Sequence, residues 1–260
     1  MIPDDLWHQI RHEIDGQLVF RTEDEWGELF VVDHAGRRHL YFGAPYEQSC
    51  IDLQQPWQPV HEYARSMMLV LALHSPRTVT MLGLGGGSLL HAVHRAIPDA
   101  TATVIEQRQA VVAIAREFFQ LEEGRHTDIL LDDAKVRLRT LEPGSCDLLF
   151  ADLFTDQQMH PWQQQHKFFS QCRRHLRDDG WLVINFDEVQ PQGGRTLDAL
   201  MATFPFVLGL ATRDGNHVIL ACAQAQIFEP EHHLQDLHQL QARLGVDLLP
   251  LYQRLELLSP

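Results

Sequence analysis

The run Val-Thr-Met-Leu-Gly-Leu-Gly-Gly-Gly-Ser, from Val79 to Ser88, decides the fold. Its first four residues read as an apolar strand that runs directly into clustered glycines. A helical spacing of apolar residues follows at once in Leu89, Leu90, Ala92, Val93, Ala96 and Ile97. Glycines at such a turn remove side chains, so the backbone bends sharply and can approach a ligand, and the following helix aims its N-terminus at it. About twenty residues on, a second strand, Thr101 to Ile105, ends in Glu106, where a carboxylate can accept from two ribose hydroxyls. Strand, glycine loop, helix, strand and acid in this order point to a nucleoside-containing ligand.

The pattern departs from a dinucleotide fingerprint, because the third glycine of G-x-G-x-x-G falls on Ser88. No G-x-x-x-x-G-K-[ST] occurs, which excludes a phosphate-cradling P-loop. Further acids close successive apolar runs: Asp132 and Asp133 after Ile129-Leu130-Leu131, and Asp152 after Asp147-Leu148-Leu149-Phe150-Ala151. In an open parallel sheet ligands sit beyond the carboxyl ends of the strands, so these acids converge on one crevice. An S-adenosylmethionine-type site needs this set: close backbone at the methionine end, an acid for the ribose and an acid for the adenine amine. Each acid alone reads as an ordinary solvated loop residue; the ordered set carries the inference.

At 260 residues the chain can bury a full α/β core. No apolar run reaches the length of a membrane span, and the N-terminus lacks the basic and apolar regions of a secretory signal. A net charge of −14 argues against a duplex nucleic-acid partner. Cys50, Cys146, Cys172 and Cys222 form no C-x-x-C pair and read as reduced, buried thiols of a cytoplasmic protein. The sixteen histidines include no H-E-x-x-H, and their spacings predict no metal site.

Residues 1–16 read as a short polar helix, and the alternation from Gln17 to Phe42 as a small antiparallel sheet with turns at Glu25-Trp26-Gly27 and Asp33-His34-Ala35-Gly36. Helical spacing recurs over 62–73, 109–119, 133–140 and 162–176, the last expected to end at a Gly180 cap. Strands are expected at 181–186, 206–212 and 217–223, the last two forming a hairpin across Arg213-Asp214-Gly215-Asn216. The tail, 230–258, reads as helical cover. The expected architecture is α/β: a doubly wound, mostly parallel, seven-stranded Rossmann-like sheet with one antiparallel strand. Residues 1–60 form a small β-rich N-terminal region and 61–260 the ligand-binding catalytic domain.

From about Ser49 to Glu188 the chain resembles the spermidine synthase (polyamine aminopropyltransferase) family, within the wider class I S-adenosylmethionine methyltransferase fold. The motifs are Leu-Gly-Leu-Gly-Gly-Gly-Ser (82–88), Val-Ile-Glu (104–106), Asp-Asp-Ala (132–134), Leu-Phe-Ala-Asp-Leu-Phe (149–154) and Asp-Gly-Trp-Leu-Val-Ile-Asn (179–185). The resemblance implies that Gly83, Gly85 and Gly86 line the nucleoside and its sulfonium arm. It also implies that Glu106 binds ribose, that Asp133 accepts from the adenine amino group and that Ala134 offers its backbone. Asp152 matches the first acid of the family's D-x-x-D and is the implied base. Three features depart from the family: Ser88 replaces the acid that follows the glycines, Thr155 takes the second D-x-x-D position with Asp156 one residue late, and Tyr-His-Glu becomes Val60-His61-Glu62 followed by Tyr63.

The reading that follows is an aminopropyltransferase using decarboxylated S-adenosylmethionine and a small amine such as putrescine. Asp156, Glu62, Tyr63 and Ser88 would lie at the substrate end, and the resemblance implies a homodimer. The alternative is a methyltransferase using intact S-adenosylmethionine on a small molecule, which Ser88 favours because a methionine carboxylate would be repelled by an acid there. A nucleoside-binding module without catalysis and a nicotinamide dehydrogenase stand behind these two.

Overall fold

The computed structural model describes residues 15–43, 47–122, 126–154, 159–187 and 194–258. Four strands open the described chain: β1 (Gln17–Asp24), β2 (Gly27–His34), β3 (Arg37–Phe42) and β4 (Glu47–Asp52), paired antiparallel in that order. The two turns fall where the sequence predicts them; β4 is an addition. The expected helix over 1–16 lies almost wholly outside the described residues.

Helices α1 (Glu62–Met68) and α2 (Val70–Leu73) lead into the main sheet. There follow β5 (Thr78–Leu82), α3 (Ser88–Ala96), β6 (Thr101–Glu106), α4 (Gln109–Phe118), β7 (Thr127–Leu131), α5 (Ala134–Arg137) and β8 (Cys146–Ala151). A 3-10 turn at Pro161–Gln164 precedes α6 (His166–His175), β9 (Leu176–Phe186), α7 (Arg195–Met201), β10 (Phe206–Ala211) and β11 (His217–Cys222). The tail contributes α8 (Leu234–Leu244), α9 (Leu249–Tyr252) and a two-residue strand, β12 (Glu256–Leu257). The sheet order is β12-β10-β11-β9-β8-β5-β6-β7, with β5 to β9 mutually parallel. The expected seven strands are therefore joined at the edge by β12, which pairs antiparallel with β10, so that β11 is not the sole reversed strand.

Strand periodicity divides the core between the two faces of this sheet. Val79, Met81, Leu148, Phe150 and Val183 point into one cluster with Met67, Leu90, Val111 and Leu237 from α1, α3, α4 and α8. Leu82, Leu149, Ala151, Leu182 and Ile184 point into the other, with Phe168, Phe169 and Cys172 of α6 and Leu197 of α7. Leu29, Val31, Leu40 and Ile51 of the N-terminal sheet join the first cluster. Arg108 ties that sheet to the end of β6: it donates to both carboxylate oxygens of Asp24 (3.0 and 2.7 Å) and lies 4.5 Å from the Phe42 ring centroid.

One expectation is corrected. Gly180 does not cap a helix: α6 ends at His175, and residues 176–180 belong to β9, where an irregularity sets Cys146 opposite Leu176 and Leu148 opposite Trp181. Arg177 in this segment donates to Asp147 at 2.5 Å, so the charged run is drawn to β8. A left-handed glycine does cap a helix at Gly245, with φ 69°, behind α8.

Candidate active site

The chain leaves β5 for β6 and β7 on one side of the sheet and returns to β8 and β9 on the other, which puts the switch point between β5 and β8. The strand ends are knitted together there. Gly83 N–H donates to Ile105 O (2.9 Å), Asp152 N–H to Leu82 O (3.0 Å) and Asp132 N–H to Glu106 O (3.0 Å). Gly83, Glu106, Asp132 and Asp152 thus stand side by side at the carboxyl ends of β5 to β8, where an open parallel sheet takes its ligand.

The glycines serve the protein's own packing as well as any ligand. At Gly83 φ is +92°, and a Cβ there would stand 2.5 Å from the Asp152 carbonyl oxygen. A Cβ on Gly86 would meet the Phe119 ring at 2.6 Å, whereas at Gly85 (φ +54°) the nearest atom would be Ser49 Cβ at 3.4 Å. Gly87, also left-handed, begins α3 without a side-chain cap, and Ser88 is buried with no hydrogen-bond partner for its Oγ among the described residues. A buried hydroxyl without a partner at an uncapped helix start fits a ligand with a polar group at that place.

Glu106 is buried and holds the loop. Its Oε2 accepts from Leu84 N–H (3.0 Å) and its Oε1 from Arg108 N–H (2.8 Å). Burial pushes its carboxyl above the usual range, against the pull of these N–H groups. A carboxylate offers about four lone-pair sites; with Gln107 N–H as a third backbone donor, about one remains for a ribose hydroxyl. Asp133, beyond β7, is exposed and caps α5 by accepting from Lys135 N–H (2.7 Å) through Oδ1, while Ala134 behind it is buried.

Asp152 is partly buried at the end of β8. Desolvation raises its pKa from 3.8 to about 6, opposed by a hydrogen bond from Asn185 Nδ2 (3.0 Å) and by the field of His61. Tyr63 lies near enough to Asp152 that burial and this charge together drive the phenol pKa well above 10. His61 stacks on Tyr63 with centroids 5.5 Å apart.

Glu62 belongs elsewhere, against its expected place at the substrate end. Its Oε1 accepts from Arg254 Nη1 (2.7 Å) and from Arg213 N–H (3.1 Å), which binds the start of α1 to the β10–β11 hairpin and the tail. Successive helical residues point about 100° apart, and here Glu62 turns to Arg213 and Arg254 while Tyr63 faces Asp152. The carboxylate beside His61 is instead Glu47 of β4. Its Oε1 lies 2.8 Å from His61 Nε2 and its Oε2 lies 3.1 Å from His39 Nδ1. Burial would raise Glu47, but the two imidazoles hold it at about 2. Asp156 lies outside the described residues.

His39, Glu47 and Cys50 bring metal-ligating atoms within 4.8 Å of one another. The imidazole meets Glu47 on one nitrogen and Cys50 Sγ (4.0 Å) on the other, and burial drives the thiol to about 12. The three side chains stand together as an ion pair between His39 and Glu47 with the Cys50 thiol beside the imidazole. Sequence spacing had no access to this cluster, whose members come from two strands. Asn185 did carry a signal, as the one amide inside an apolar strand.

Comparison with known proteins agrees with this geometry. The methyltransferase domain family matches residues 80–184. A polyamine aminopropyltransferase of Neisseria meningitidis serogroup A is 30% identical over 199 residues, 75% of each chain. One from Chromobacterium violaceum is 29% identical over 234 residues, 88% of this chain and 89% of that protein. Among solved structures, a probable spermidine synthase from Corynebacterium glutamicum shares the fold with a TM-score of 0.71 at 20% identity, covering 86% of this chain and 87% of that one. Human methyltransferase-like protein 13 in complex with SAH does so at 0.59 and 19% identity, covering 71% of this chain and 90% of that one. A chain with this crevice and these relatives belongs to the polyamine aminopropyltransferase family.

Proposed function

We propose that the chain transfers an aminopropyl group from decarboxylated S-adenosylmethionine to a small amine such as putrescine, with Asp152 as the base. The observation that carries this reading is the contact between loop and acid: Gly83 has no side chain where the Asp152 carbonyl passes, so the candidate base lies beside the glycine loop. Bound there, the sulfonium supplies an electrophilic carbon attached to a good leaving group.

The residues do the rest by position and proton transfer. Glu106 takes a ribose hydroxyl on its remaining lone pair while fixing the loop through Leu84. Asp133 takes the adenine amine on its second oxygen, and the backbone of Ala134 borders the base. Ser88 Oγ meets the polar end of the sulfonium arm. Asp152, with a pKa near 6, is ionised at neutral pH; it orients the acceptor ammonium and takes its proton as nitrogen attacks. Tyr63, held neutral, borders the same place, and Asp156 would extend the acidic acceptor end. Family membership further supports a homodimer, and four free, buried cysteines support a reducing, cytoplasmic setting. No described helix is long and apolar enough to cross a membrane.

Ser88, together with the methyltransferase domain match over residues 80–184, favours a methyltransferase instead. Calorimetry with decarboxylated and intact S-adenosylmethionine, each with and without putrescine, tests the choice. Tighter binding of the decarboxylated form, strengthened by putrescine, is expected. Preference for the intact form with no response to putrescine would reverse the proposal.

A further inference from the structure

We propose that Asn216, in the loop between β10 and β11, is a positioning residue that fixes which end of the Asn185 amide faces Asp152. Asn185 Nδ2 donates to Asp152 Oδ1 at 3.0 Å, and Asn185 Oδ1 accepts from Asn216 Nδ2 at 2.9 Å. A side-chain amide has one accepting and one donating end. A donor placed against its oxygen therefore turns its NH2 group toward Asp152, and a donor there favours the ionised carboxylate over the acid. Asn185 is buried in β9, so no bulk water competes for either end.

Asn216 is itself anchored. Its carbonyl accepts from Thr212 N–H (2.7 Å), and the Thr212 hydroxyl bonds to Asp214 within the same loop. The loop is pinned from outside by Glu62, which accepts from Arg213 N–H and from Arg254. Arg254 also donates to Ala211 O at the end of β10. A line of polar contacts thus runs from the C-terminal tail through Glu62 and the hairpin to Asn216, Asn185 and the acid. It supplies a reason for Glu62 that substrate contact does not. Among the described residues, the other charged or titratable groups acting here are His61 and Tyr63 from the start of α1, Glu47 and Cys50 from β4 and Asp214 from the hairpin, the last three acting on Tyr63.

The inference rests on Asp152 being the base of the proposed reaction, but its test does not need turnover. Carboxyl-carbon NMR titration of Asp152, assigned by comparison with D152N, reads the protonation equilibrium in the absence of substrate. In N216D the new carboxylate accepts from the Asn185 NH2 and turns the amide oxygen toward Asp152. The Asp152 midpoint is expected to rise by a pH unit or more, with a smaller rise in N216A, where the amide is free to turn. N185A, which removes the donor without supplying an acceptor, should fall between N216A and N216D, and N216Q, which restores a donor, moves back toward wild type. Circular dichroism confirms that each variant folds. The pH profile of kcat should follow the same order. A midpoint that moves in N185A but stays at the wild-type value in folded N216A and N216D would overturn the proposal. Midpoints that move as expected in a protein without aminopropyl transfer would leave the relay standing and remove the assigned reaction. Normal turnover with unmoved midpoints would do the reverse.

Discussion

Replacing Asp152 by asparagine should make the protein more stable at neutral pH while abolishing transfer. The carboxyl's pKa rises from 3.8 in the unfolded chain to about 6 in the fold, mainly through desolvation. A folded state that binds the proton more tightly gains stability that is complete below about pH 3.8 and is lost as the pH rises through about 6. Above that, the native protein holds an ionised carboxylate in poor solvation. At about 1.4 kcal/mol per unit, the cost is about 3 kcal/mol. Asparagine removes the charge, keeps an oxygen to accept from Asn185 and has nearly the same volume. For a chain of this size 1 kcal/mol moves the melting temperature by about 2–4 °C, so D152N should melt about 6–12 °C higher at pH 8. At pH 4 wild type is itself largely protonated, and the difference should shrink below about 1 kcal/mol. Differential scanning calorimetry of both proteins from pH 4 to 8 measures this. A variant no more stable than wild type at pH 8, or one whose advantage does not depend on pH, would refute the claim that the fold strains this acid for use.

Three other outcomes follow from the same geometry. The kcat of the wild-type protein should rise with pH through about 6, as Asp152 ionises and can accept a proton; a flat profile from pH 5 to 8 under conditions where chemistry limits turnover would remove it as the base. Glu106→Ala should leave the Leu84 and Arg108 N–H groups without acceptors. At roughly 1–3 kcal/mol each, it should destabilise the fold by about 2–6 kcal/mol as well as weaken nucleoside binding; an unchanged melting temperature would mean that Glu106 does not hold the loop. Glu62→Ala should loosen the β10–β11 hairpin by about 1 kcal/mol, seen as about fivefold faster amide exchange over 212–217, with the KM for the amine acceptor unchanged. A raised KM for the amine instead would return Glu62 to the substrate end.

The parallel part of the sheet was legible because strands buried on both faces are continuous apolar runs. Expected strands at 79–82, 101–105 and 147–151 differ by a residue or so from Thr78–Leu82, Thr101–Glu106 and Cys146–Ala151. The crevice was legible for the same reason, since each such run ends in a glycine or an acid. Gly180 misled because a charged run ending in glycine has the local chemistry of a helix cap. What prevails there is the bond from Arg177 to Asp147, thirty residues away in sequence. Strand β4 was missed because Glu-Gln-Ser-Cys-Ile-Asp shows no clean alternation. The pairing of His39 and His61 around Glu47, and of Asn216 with Asn185, joins separate elements and leaves no trace in spacing. The Tyr-His-Glu resemblance points Glu62 to the substrate end, but its carboxylate turns to Arg213 and Arg254, partners far away in sequence.

If this site moves an aminopropyl group between sulfur and nitrogen, mass spectrometry of the products formed from decarboxylated S-adenosylmethionine and putrescine should find the aminopropylated amine and 5′-methylthioadenosine in equal amounts, both lost in D152N. A methylated acceptor formed from intact S-adenosylmethionine, with no aminopropylated amine from the decarboxylated form, would contradict it.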